Sequence, residues 1–246
     1  MISDTNKFVK WRPDRPMCGC LLLCKEAEEY GEQLNLRGII NGVYAEAFPT
    51  ILGPFVVHFE GTNLHGGDEI ILAFYCLEDD QRLRGFKATV AAGCTPQAMC
   101  TMDLRVPELK VPRAGRYILT ASHLGFVFAE AIFEVQTPHE RVATAGNKII
   151  ADRRTRGPMC SCLLLSEAGQ IDTKPQVTLL SVFHTICSGV LPVNLGPYAL
   201  HVRLSNLSFD GKERIAIALR SAENNKPMFT CNLTLPVELD PVTTYA

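Results

Sequence analysis

Pro16-Met-Cys-Gly-Cys-Leu-Leu-Leu23 returns 142 residues later as Pro158-Met-Cys-Ser-Cys-Leu-Leu-Leu165. Other landmarks follow in the same order. Leu52-Gly-Pro-Phe-Val-Val-His58 reappears as Leu195-Gly-Pro-Tyr-Ala-Leu-His201, and between these Leu34 and Leu36 align with Val177 and Leu179, and Phe48-Pro49 with Leu191-Pro192. Leu104-Arg-Val-Pro107 then meets Leu233-Thr-Leu-Pro236 at a shorter spacing, which puts a shorter loop in the second copy. Several matches in register mark a duplication, and a period this long makes each copy a whole domain rather than a solenoid unit.

Within each copy the apolar period is two. Phe55, Val57 and Phe59 alternate with Val56, His58 and Glu60, and the second copy repeats the pattern with Tyr198, Leu200, Val202 and Leu204 against His201 and Arg203. Such alternation assigns strands with one face inward and one outward. Ile215, Ile217 and Leu219 alternate likewise, and turn signals such as Asn63-Leu-His-Gly-Gly67 and Phe209-Asp-Gly211 separate the runs. The best helix candidate, Lys25 to Gln33, is short and acidic. Seven or eight short strands per copy predict an all-β chain of two tandem immunoglobulin-like antiparallel β-sandwich domains. The divisions are an N-terminal extension over 1–15, a first sandwich over 16–136, a basic linker over 137–157 and a second, shorter sandwich over 158–246.

Leu21-Leu-Leu-Cys24, Leu36-Arg-Gly-Ile39, Phe48-Pro49 and Pro112-Arg-Ala-Gly-Arg-Tyr117 together resemble a bacterial family of single β-sandwich domains of unknown function, here in tandem. The resemblance covers most of 17–135 and, more weakly, 159–240. It implies a fold and no activity, and it lends no catalytic residues.

Composition narrows the field. The 246 residues are 47% hydrophobic and 20% charged, with a net charge of −2, so no global field recruits nucleic acid or an anionic membrane. No apolar run approaches the roughly 18 residues of a membrane span. The polar start, Met1-Ile-Ser-Asp-Thr-Asn, lacks a signal-peptide core, which predicts a cytoplasmic chain with reduced thiols. The ten cysteines then read as small buried groups. Regular alternation puts Cys18 and Cys20 on one face, with Cys160 and Cys162 on its equivalent. These four are the alternative metal set, open only if the copies pack symmetrically; the favoured reading has no metal and no cofactor. Cys100 and Met102 matching Phe229 and Cys231 supports cysteine as a hydrophobe.

Two further sets are candidate ligand contacts. His58 and His201 share one slot, on the face expected to look outward. Arg12 pairs with Arg154 in the repeat, and Arg153, Arg154 and Arg156 make the linker basic, a pattern suited to a small anion held between the copies. No aromatic ladder accompanies them, which argues against nucleic acid. No phosphate loop, dinucleotide fingerprint, zinc-protease motif or nucleophile elbow occurs, so the reading leans away from an enzyme. The first copy continues through Gly115–Ser122 and Phe126–Val135, whereas the second ends near Pro241-Val-Thr-Thr-Tyr-Ala246, without that hairpin. An open edge invites a strand from residues 1–15, from Lys148-Ile-Ile-Ala151, from a second copy of the chain or from another protein. The expected function is therefore non-catalytic binding or assembly through the exposed edge or interdomain surface, with a homo-oligomer or protein partner. The alternative is a small-molecule or nucleotide (anion) binder using the interdomain groove and linker arginines.

Overall fold

The computed structural model describes residues 15–30, 33–137, 159–171, 177–183, 197–205, 214–220 and 226–234. Every regular element among them is a strand. The first repeat contributes β1 (Met17–Tyr30), β2 (Gln33–Ile39), β3 (Gly42–Tyr44), β4 (Thr50–Leu52), β5 (Phe55–Thr62), β6 (Glu69–Cys76), β7 (Arg82–Thr89), β8 (Cys100–Val106), β9 (Leu109–Val111), β10 (Gly115–His123) and β11 (Phe126–Gln136). The second contributes β12 (Met159–Ile171), β13 (Val177–Phe183), β14 (Ala199–Ser205), β15 (Arg214–Arg220) and β16 (Pro227–Thr234). The acidic stretch from Lys25 belongs to β1 and β2. Its alternation satisfies a strand pair, Glu26 facing Arg37 and Glu28 facing Asn35, where a lone short helix would have little to bury.

The all-β sandwich expected from the alternation is present. A five-stranded sheet, β3-β11-β10-β6-β7, faces the β1, β5 and β8 portion of a seven-stranded sheet, β14-β12-β13-β2-β1-β5-β8. All pairings are antiparallel except β3 with β11. Leu21, Leu23, Val57 and Phe59 meet Leu72, Phe74, Leu119 and Phe133 between the layers, with edge-on contacts of Phe74 to Phe55 and Phe133. Tyr117, fully buried, donates its hydroxyl to the Arg113 carbonyl at 2.6 Å and stacks on Phe133. A tyrosine tied back to the chain just upstream is a corner device of immunoglobulin-type sandwiches.

The repeats share the larger sheet. Strands β1, β2, β13 and β12 pair in a closed ring, each with the next. Cys20 lies opposite Cys162, and Leu36 opposite Leu179, its repeat counterpart. Each contact joins a residue to its own equivalent, which is the signature of an internal two-fold. Inside the ring, Cys20, Leu22, Cys24, Leu34, Leu36 and Ile39 pack against Cys162, Leu164, Leu179 and Val182. The opening octapeptide is thus written twice because it builds both sides of one junction.

Candidate functional site at the junction and on the second repeat

The two copies pair their first strand with the same register. Leu21, Leu22 and Leu23 face Phe59, His58 and Val57; Leu163, Leu164 and Leu165 face Val202, His201 and Leu200. Both copies also carry a bulge in this strand, between Cys18 and Cys20 and between Cys160 and Cys162. An extra residue reverses the alternation. Cys18 therefore turns toward the sandwich core while Cys20 enters the ring, and the pair does not share a face as regular alternation predicts. Cys162 is buried and Cys160 exposed. Among the described residues no group of three His, Cys, Asp or Glu is disposed to hold a metal ion. What meets is Cys20 and Cys162, Sγ to Sγ at 3.3 Å, with burial first and the neighbouring thiol second raising the Cys20 pKa.

Those thiols sit in the middle of a cross-strand row. Glu60 faces Cys20, Cys20 faces Cys162, and Cys162 faces Arg203. Directly opposed residues project to the same face, so an acid and a base close the two ends of one buried row. The Arg203 guanidinium also donates to the carbonyl of Ile132 on β11. Burial lowers its pKa to about 10, against smaller opposing effects of Cys162 and Cys20.

The expectation that His58 and His201 look outward is corrected: both are buried. The face opposite the sandwich core is not wet, because the strands of the other repeat cover it. His58 Nδ1 lies 2.7 Å from Asp103 Oδ1 and its Nε2 lies 2.9 Å from Glu60 Oε1. Burial alone would depress this imidazole; the hydrogen bonds to Asp103 and Glu60 outweigh it and lift the pKa to about 9. His201 has Arg203 where His58 has Glu60. Burial, then the guanidinium charge, lowers its pKa to about 4, and its Nε2 has no hydrogen-bond partner among the described residues. One slot thus holds a cation in the first repeat and a neutral ring in the second.

Arg12, Arg153, Arg154 and Arg156 lie outside the described residues, as do Lys148–Ala151 and the final residues after Thr234. The sequence did not single out Glu60, Asp103 or Arg203. Glu60 and Arg203 occupy matching slots, and their opposite charge was the available signal.

The repeats differ most on their outer side. Leu21 and Val57 are fully buried, whereas the equivalent Leu163 and Leu200 are 48% and 42% exposed. In the first repeat β10 and β11 complete the facing sheet; β11 also reaches β12 and β14, where Arg203 meets the Ile132 carbonyl, yet Leu163 and Leu200 stay half-exposed. β15 pairs with β16 alone among the described strands, and Met228 and Phe229, neighbours on opposite faces of that ribbon, are both exposed. This ribbon also corrects the alignment that placed Phe229 and Cys231 in the slots of Cys100 and Met102. β8 pairs with β5, but β16 forms a hairpin with β15 as β7 does with β6, so that cysteine exchange has no structural basis.

No protein-family model and no curated protein matches the chain, so the resemblance to a bacterial β-sandwich family has no family-level match behind it. Two solved structures are similar over part of it. An immunoglobulin-like protein from Pseudomonas aeruginosa shares 19% identity, covering 49% of this chain and 91% of its own, with a TM-score of 0.26. The alkylpurine DNA glycosylase AlkC of Pseudomonas fluorescens, bound to DNA containing an abasic site analog, shares 10% identity, covering 49% of this chain and 30% of its own, with a TM-score of 0.25. No helix among the described residues is long and apolar enough to cross a membrane.

Proposed function

We propose that this is a non-catalytic assembly protein whose second repeat docks on a second copy of the same chain. The observation that carries the reading is the contrast at equivalent positions: the slots buried as Leu21 and Val57 in repeat one are half-exposed as Leu163 and Leu200 in repeat two. An apolar sheet face suits an added layer, and among the described strands β15 pairs with β16 alone, which suits an added strand. A second copy is the simplest source, because one self-complementary patch on each chain closes a two-fold dimer. The junction between the repeats supports the same reading, since its own apolar surface is already spent inside the chain.

The test is solution mass by light scattering across concentration. The expected result is a species of twice the 27.1 kDa chain, with Leu163→Glu and Leu200→Glu returning it to the single-chain mass while leaving the strand circular dichroism intact. A protein that stays at single-chain mass up to the highest soluble concentration, unaffected by those variants, would refute it.

A further inference from the structure

The sandwich core of the first repeat is open at one end. Leu23 and Phe55 from the larger sheet and Phe133 from the smaller one line a cleft of about 570 Å³ with Ile40 and Leu52. That volume lies within the roughly 300–1,000 Å³ of small-molecule sites. Only two side chains in the lining are polar, Lys25 and Tyr44.

Lys25 is held there by its neighbour across the strand pair. Gly38 has φ +61, and a Cβ built on it would stand 2.9 Å from Lys25 Cδ and 3.1 Å from Cγ. The lysine stem lies against that bare backbone, and a side chain at Gly38 would have to displace it while holding a left-handed φ. Among the described residues no carboxylate pairs with Lys25. The cleft therefore combines a mostly apolar wall, one unspent positive charge and one phenol hydroxyl at Tyr44, itself 66% exposed.

We propose that this cleft binds a small amphiphilic monocarboxylate, with its hydrocarbon body against Leu23, Phe55 and Phe133 and its carboxylate on Lys25 and Tyr44. One cation matches one negative charge. A dianion would leave a charge unpaired against apolar walls, and an alkyl cation would meet the ammonium directly. The site belongs to the first repeat alone and is independent of the proposed assembly.

The experiment titrates the full chain, in the Leu163→Glu background to remove the second repeat's apolar face, with decanoate, decanol and decylamine below their aggregation concentrations. Calorimetry reads affinity and amide chemical shifts read location. Decanoate should bind one to one, about fivefold tighter than decanol, the size of a solvent-accessible ion pair, with decylamine weakest and shifts centred on residues 23–25 and 40–44. Lys25→Met should erase the decanoate advantage and Lys25→Glu should favour decylamine. Val43→Trp, which fills the cleft, should weaken all three. Equal binding of the three probes, an order unchanged by the Lys25 variants, or no saturable binding would overturn the proposal.

Discussion

The two buried histidines should make the stability of this protein peak near pH 6.5 and fall on both sides, each limb owned by one repeat. His58 is lifted from its ordinary 6.5 to about 9. Below pH 6.5 it is charged in both folded and unfolded chains and its contribution is fully present. Between pH 6.5 and 9 the folded protein keeps a proton that the unfolded chain has lost, so stability declines until, above 9, the folded imidazole is neutral too and the contribution is gone. At 1.36 kcal/mol per pH unit the full limb is worth about 3 kcal/mol. His201 runs the other way. Its folded value is depressed to about 4, so its contribution is present above 6.5. As pH falls toward 4 the unfolded chain takes up a proton that the folded chain refuses, a limb of similar size. Urea unfolding of the wild type, His58→Gln and His201→Gln from pH 5 to 9 separates them. His58→Gln should flatten the alkaline limb and leave the acid one; His201→Gln should do the reverse. Carboxylates titrate in the acid range too, which is why the difference between variant and wild type is the quantity to read. Parallel profiles for all three proteins would mean that neither imidazole is held in the charge state its neighbours dictate.

Two further substitutions probe the sandwich itself. Gly53→Ala should destabilise by about 2 kcal/mol or more, because φ is +124 and a Cβ would stand 2.7 Å from the Pro107 carbonyl oxygen, whereas Gly67→Ala, at φ +91 with nothing within 4 Å, should cost less; equal losses in chemical denaturation would discount the close approach. Tyr117→Phe should lose about 1 kcal/mol by leaving the Arg113 carbonyl without its 2.6 Å donor, and an unchanged denaturation midpoint would show that water takes over the bond.

The strands were legible because alternation is local. Phe55, Val57 and Phe59 do line the sandwich core, and the hairpin over 115–135 does close the facing sheet. The partner of the second face was not legible, since alternation says which residues share a side and not what lies across it. Val56, His58 and Glu60 read as outward because an isolated antiparallel sheet has a wet face; here Val56 joins the core of the ring shared by both repeats, and His58 and Glu60 are buried on the same side. The bulges at Gly19 and Ser161 were equally silent. Nothing in Met-Cys-Gly-Cys reveals that one residue falls outside the ladder, yet that single step moves Cys18 to the other core. Lys25 escaped notice for a related reason: its role depends on Gly38 across the sheet and on a cleft formed by strands distant in sequence.

The ring also explains why this architecture favours a duplicated chain over two identical ones. In a symmetric pair the row through Cys20 and Cys162 would end in the same residue on both sides, two buried carboxylates or two buried guanidiniums. Like charges at both ends of one buried row are costly in a low-dielectric core, and only the imidazole beside each carboxylate would offset them. A single chain can place Glu60 at one end and Arg203 at the other. That choice sets the histidines in opposition, since His58 gains an acid neighbour and His201 a basic one. It also makes the register specific: a slip by one residue would leave both ends of the row buried without their surroundings. The internal two-fold is thereby closed to further copies, and the apolar face left on the second repeat, around Leu163 and Leu200, is where an added chain has surface to gain.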